Sequence, residues 1–196
     1  MKMLVSGLAF LGLMAAPALA QTADPQPTCT MCEGVYVPAE EIAAYTKKAV
    51  AEHRIDQQVR DIDIGKAHIA LGVEHRGKLD KAGAQTVAEH DLVSEVYHII
   101  DGTATLKLGP RLVNKKRRPA DEETVRLYNG PGNNADDIEG GVSYNLKAGD
   151  VVFIPAGTGH QFTHIDDHID YIMVRIDPDK VSPLKDEAAS KVTLGR

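Results

Sequence analysis

Gly149-Asp150-Val151-Val152-Phe153-Ile154-Pro155-Ala156-Gly157-Thr158-Gly159-His160 holds a strand, a tight turn and the start of another strand. Val151 to Ile154 is the apolar run, and Pro155 with Gly157 is the turn chemistry that delivers His160 to the next strand. Outward from this stretch the same grammar repeats. Ile62 and Ile64, then Ile69, Leu71 and Val73, alternate with polar or small residues, as half-buried strands do. Further strands are expected at 95–100, 103–108, 124–128, 143–147, 150–154, 160–165 and 170–176. Asp101-Gly102, Gly130-Pro131-Gly132, Gly140-Gly141 and Ala148-Gly149-Asp150 separate them. Many short strands broken by turns predict an all-β sandwich or barrel. On the last strand, Ile172, Val174 and Ile176 make the better core face than Tyr171, Met173 and Arg175.

A second stretch carries ligand-type side chains: His90-Asp91-Leu92-Val93-Ser94-Glu95, running on through Tyr97 to Gly102. Imidazole and carboxylate suit divalent Fe, Mn, Zn, Ni or Cu. His90 and Glu95 are five residues apart, which on one continuous strand puts them on opposite faces. A short hairpin through Asp91-Leu92-Val93-Ser94 lets two adjacent strands each present a ligand. His160 completes a set of two imidazoles and one carboxylate, which leaves coordination positions open. Tyr97 shares the parity of Glu95 and is the nearest acid/base group, with barrel filling as its ordinary role.

His90, Glu95 and Gly102, with Gly149, Pro155, Gly157 and His160, resemble the two sequence motifs of the cupin superfamily over about residues 60–176. The resemblance implies a cupin-like β-barrel, the double-stranded β-helix or jelly roll. It also implies one divalent metal held by His90, Glu95 and His160, and a menu of dioxygenase, isomerase, lyase or decarboxylase chemistry beside binding and sensor members. Fold does not choose among these. Two positions depart from the pattern. Ala88 stands where the first His is usual, and His164 where Asn closes the second motif. His164 is four residues along the strand from His160, roughly 13 Å at about 3.3 Å per residue, so it is expected in the pocket's surroundings rather than as a ligand. Ala88 points to the same side as His90 and leaves a place beside the metal.

The chain has 196 residues, with 22 Lys and Arg against 28 Asp and Glu and a net charge of −6. An acidic chain is a poor match for nucleic acid or an anionic membrane, and the length suits one domain. Residues 1–20 read as a secretory signal peptide: Lys2, an apolar run to Ala16, then Ala18-Leu19-Ala20. The expected location is periplasmic or secreted, without a membrane anchor. Residues 21–55 form a leader with one helix opened by Pro38, whose apolar stripe is Ile42, Tyr45, Ala49 and Val50. Residues 56–177 form the barrel and 178–196 a C-terminal tail.

Cys29 and Cys32 lie in a Pro-rich loop and are expected as a local disulfide, with redox exchange as the minor reading. Lys115-Lys116-Arg117-Arg118 reads as a solvated run. The functional expectation is an exported metalloprotein acting on a small polar or aromatic molecule. The alternative is a non-catalytic small-molecule-binding module, with or without metal. A small molecule is the expected partner, and homodimerisation is left open.

Overall fold

The computed structural model describes residues 26–195, so the expected signal peptide lies outside the described residues. An N-terminal helix α1 (Ala39–Glu52) follows Pro38 and precedes β1 (Asp56–Asp63) and β2 (His68–Leu79). Then come β3 (Val87–His90), β4 (Ser94–Gly109), and the short β5 (Leu112–Val113) and β6 (Lys116–Arg117). After a π-helical turn, Val125–Asn129, the chain forms β7 (Gly132–Ala135), β8 (Asp137–Ile138), β9 (Val142–Lys147), β10 (Val151–Ile154), β11 (Gly159–Asp177) and a last helix α2 (Glu187–Thr193). The architecture is all-β and cupin-like, with the two α-helices near the ends of the described chain.

β11 organises the barrel. It pairs antiparallel with β4 from Gly159↔Gly109 to Ile176↔Ser94, with β2 along its second half, and with β3 at His160↔Ala88. β9 and β10 lie along the other side of β4. Inside sits one apolar cluster built around Tyr97, Ile99, Leu106, Ile154, Phe162, Ile165, Ile169, Tyr171 and Met173. Burying each such side chain stabilises the fold by about 1.5–3 kcal/mol.

Several expectations are corrected. Segments 95–100 and 103–108 are one strand, β4, and 160–165 and 170–176 are one strand, β11. Both bend together. The β4–β11 register shifts between Ile165 and Ile169, opposite Gly102. Gly102 has φ +81°, and a Cβ there would sit 2.0 Å from the His168 carbonyl oxygen. Only glycine suits that close approach.

The expected strand at 124–128 is the π-helical turn instead. Glu122 N–H donates to the Pro119 carbonyl and Arg126 N–H to the Glu122 carbonyl, and Gly130 at φ +62° ends it. The proposed 91–94 hairpin is also absent: β3 pairs with β7 and β11, and β4 with β9, β10 and β11.

The inward face of the last strand is the reverse of the expected one. Tyr171, Met173 and Arg175 are buried and Ile176 is exposed. Arg175 Nη1 donates to Gln58 Oε1 and Nη2 to Asp56, so partners on β1 offset its burial. In α1, Tyr45 and Ala49 are buried but Val50 is exposed, and the helix instead buries Glu41, whose carboxylate grips the Arg60 guanidinium with two bonds of 2.6 and 2.9 Å. The expected inward Ile64 of the first strand segment is exposed, because β1 carries a bulge between Gln58 and Arg60 and stops at Asp63.

Candidate metal centre

Three chain segments bring the ligand-type residues together. His90 ends β3, Glu95 is the second residue of β4, and His160 is the second residue of β11. The Pro155–Gly157 turn ties them: Gly157 N–H donates to the His90 carbonyl at 2.7 Å, and Ala156 N–H to Ser94 Oγ at 3.0 Å. Gly157 has φ +80°, the conformation the turn needs. Thus the glycine–proline chemistry does more than deliver His160; it also locks both other ligand segments.

His90 Nε2 lies 3.3 Å from Glu95 Oε1, and His160 Nε2 lies 3.5 Å from Glu95 Oε2. One donor atom from each residue falls within 4.8 Å of the others, and all three side chains are buried. Among the described residues this is the one group of its kind. It lines a cavity of about 190 Å³ whose wall includes Ala88, Tyr97, Asn129, Met173 and Arg175. Larger cavities of about 300 and 400 Å³ lie near α2 and near the leader, but neither is lined by this cluster.

The donor set suits a divalent metal in type and convergence. His160 is ready as it stands: Nδ1 sits 3.2 Å from the Thr158 carbonyl, which calls for the proton on Nδ1 and leaves Nε2 with a lone pair. Burial pushes the His160 imidazole down to about 4, so it is neutral at pH 7. Burial alone would raise the Glu95 carboxyl, but the neighbouring His90, His160 and Arg175 hold it well below the usual carboxylate range.

His90 is held differently. Arg118 Nη2 lies 3.0 Å from His90 Nδ1 and 2.6 Å from the Glu89 carbonyl. A guanidinium only donates, so His90 Nδ1 accepts and its proton sits on Nε2, facing Glu95. Metal ligation through His90 Nε2 therefore requires Arg118 to turn away so that Nδ1 can take the proton.

The remaining expected residues are placed as follows. Ala88 lines the cavity opposite His160 in the β3–β11 register and leaves the space anticipated beside the cluster. Tyr97 Oη donates to Glu95 Oε2 at 2.9 Å and also packs 4.6 Å from the Tyr171 ring, so it fills the barrel and touches the cluster. Burial and the Glu95 charge push its phenol well above the usual range. His164 is not in the site. Its ring contacts the Asp80 carbonyl and Asp166 near the barrel surface. Cys29 and Cys32 form the expected disulfide, Cα atoms 5.8 Å apart.

The structure brings to the cluster residues that the sequence does not place there. Arg118 belongs to the basic run expected in solvent, yet it is buried against His90. Arg175 Nε reaches within 3.6 Å of Glu95 Oε1. Asp56, Glu74 and Arg76 share the cavity wall. The one available signal was charge inside strands: Glu74 and Arg76 interrupt β2, and Arg175 interrupts the apolar end of β11.

No family model matches the chain, and no curated protein matches it. Among solved structures, a cupin protein from Bacteroides fragilis is 15% identical over 60% of this chain and 72% of that one, TM-score 0.34. A Bacillus halodurans protein is 10% identical over 80% and 93%, TM-score 0.40. The DMSP lyase DddQ from Ruegeria pomeroyi is 18% identical over 67% of this chain and 51% of the lyase, TM-score 0.38. These are distant likenesses. By its own strand pairing and the placement of both motifs, the chain is an all-β, cupin-like barrel with a buried His90–Glu95–His160 group that could hold a metal.

Proposed function

We propose that this protein is an exported metalloprotein that binds one divalent metal through His90, Glu95 and His160 and acts on a small polar or aromatic molecule. The observation that carries this reading is the convergence of three buried donor side chains from three segments onto one small cavity. Buried ligand-type groups are costly unless paired, so their gathering around shared space points to use. A divalent metal there supplies Lewis-acid polarisation of a bound substrate atom.

The chain's own residues do the rest. Tyr97, donating to Glu95, fixes the carboxylate and keeps its proton at neutral pH, so it serves as a donor and not as a base. Arg175 Nε, 3.6 Å away, supports the same carboxylate. The volume of about 190 Å³ limits the occupant to a small molecule. Export rests on the pattern at residues 1–20 and on the Cys29–Cys32 disulfide, which suits an oxidising compartment. No helix among the described residues is long and apolar enough to cross a membrane.

A second reading, a binding module without catalysis, is favoured by one observation. Both Glu95 oxygens already have protein neighbours in His90, His160, Tyr97 and Arg175. Metal analysis of protein purified from its own compartment, followed by a substrate screen of the loaded form, separates the two. Stoichiometric metal and turnover support the enzyme. Ligand binding unchanged by metal removal supports the module and overturns the first reading.

A further inference from the structure

Asp56 on β1 and Glu74 on β2 stand directly opposite each other in the antiparallel ladder. Both line the cavity that holds the metal-type cluster. Two carboxylates so placed repel each other when both are ionised. Neither Asp56 Oδ1 nor Glu74 Oε1 has a hydrogen-bond donor in the protein, and both atoms are buried. Unmet acceptors of this kind carry a desolvation cost of about 1–3 kcal/mol each.

The surroundings do not supply enough cations for every acid. Arg175 bonds to Asp56 and also lies near Glu74 at 3.9 Å and Glu95 at 3.6 Å. Arg76 lies 3.9 Å from Glu74 Oε2, and its Nε is given to the Tyr171 hydroxyl. Three carboxylates thus share two guanidinium groups, with Tyr97, Tyr171 and Tyr128 as the other titratable neighbours. One proton between Asp56 and Glu74 removes the repulsion, satisfies both orphaned oxygens and balances the charge.

We propose that Glu74 is a carboxylic acid that donates its proton in a hydrogen bond to the Asp56 carboxylate, and that this pair is a proton-exchanging acid–base site in the cavity wall. Burial, and after it the Asp56 charge, push the Glu74 carboxyl well above the usual range, in agreement with that placement. The pair's role toward a substrate rests on the function proposed above; the shared proton does not. In the transfer, the Glu74 O–H bond breaks and a basic oxygen or nitrogen of the bound small molecule gains the proton. Two carboxylates remain, held by Arg175 and Arg76. Water returns the proton by way of Asp56, whose side chain is 17% exposed against 2% for Glu74.

Infrared spectroscopy of the full chain after chelation tests this at neutral pH. The wild type should show the carbonyl stretch of a protonated carboxylic acid, and transfer to D2O should shift it within the mixing time. Glu74→Gln and Asp56→Asn should each abolish the band. His160→Ala should keep it while losing zinc binding. No band, a band surviving Glu74→Gln, or a band that shifts only on unfolding overturns the proposal. If Glu74→Gln does not fold, Asp56→Asn and the wild-type exchange experiment decide. A wild type that shows the exchanging band but binds no zinc overturns the metal reading alone; one that binds zinc without the band overturns the carboxyl pair alone.

Discussion

At His90 the fate of one proton separates two states of the centre. Arg118 donates to Nδ1 and thereby places the imidazole proton on the nitrogen that faces Glu95. Arg118→Gln offers a carbonyl that can accept from Nδ1–H, and should tighten metal binding by about 10-fold, given the 10–100-fold influence of groups that orient metal ligands. Competition titration with a chromophoric chelator measures it, and weaker binding would contradict the tautomer argument. Ala88→His places a further imidazole on the cavity side of β3 and should also tighten binding. His90→Ala and His160→Ala should each weaken binding by on the order of 100-fold or more, and His164→Ala should leave it unchanged. The pH dependence follows from His160. Its folded value of about 4 lies below the ordinary 6.5, so the unfolded chain binds more protons between these values. The contribution of His160 to stability is therefore full above pH 6.5 and is lost as pH falls towards 4. Urea midpoints across that window should decline in the wild type and decline less in His160→Gln. The motif residues were legible because their types and turn spacing are local. Arg118, Arg175 and Glu74 were not, because strands distant in sequence bring them to the cavity.

Among the elements, β4 and β11 decide whether the sheet closes. Asp101-Gly102 reads as a turn between strands, and the polar residues Asp166, Asp167 and His168 fall between two expected strands. The chain instead continues through paired bends, and register across two strands is not visible in either strand alone. Four expected segments are therefore two long strands, β4 and β11, while the β class holds. Gly102→Ala should destabilise the fold by at least about 1–3 kcal/mol, because φ +81° is strained for alanine and its Cβ meets the His168 carbonyl oxygen. Leu106→Ala, at a fully buried position of β4 opposite Phe162, should cost about 2–5 kcal/mol. Denaturant unfolding checks both, and Gly102→Ala at wild-type stability would contradict the bent-strand account. The misread last-strand face has a similar origin. Arg175 looks like an outward residue by type, yet Asp56 and Gln58 on β1 compensate it inside.

Across the whole molecule, the ends of the described chain close one side of the barrel. Ser190 of α2 meets Glu41 and Tyr45 of α1 and the Val59 carbonyl, and Asp61 bridges Lys185 through the backbone. None of these contacts was legible in the tail, because their partners on α1 and β1 lie more than 100 residues away in sequence. The Cys29–Cys32 disulfide closes a loop of very few residues, so its removal should cost at most about 2 kcal/mol. Thermal unfolding of the double Cys→Ser variant measures that, and a larger loss would assign the leader a greater structural share. N-terminal sequencing of exported protein should begin at Gln21. Anomalous diffraction from crystals grown with manganese or zinc tests the central claim most directly. One strong peak is expected between His90 Nε2, Glu95 and His160 Nε2, with Arg118 turned from His90; no peak there, or a peak at His164 instead, would contradict it.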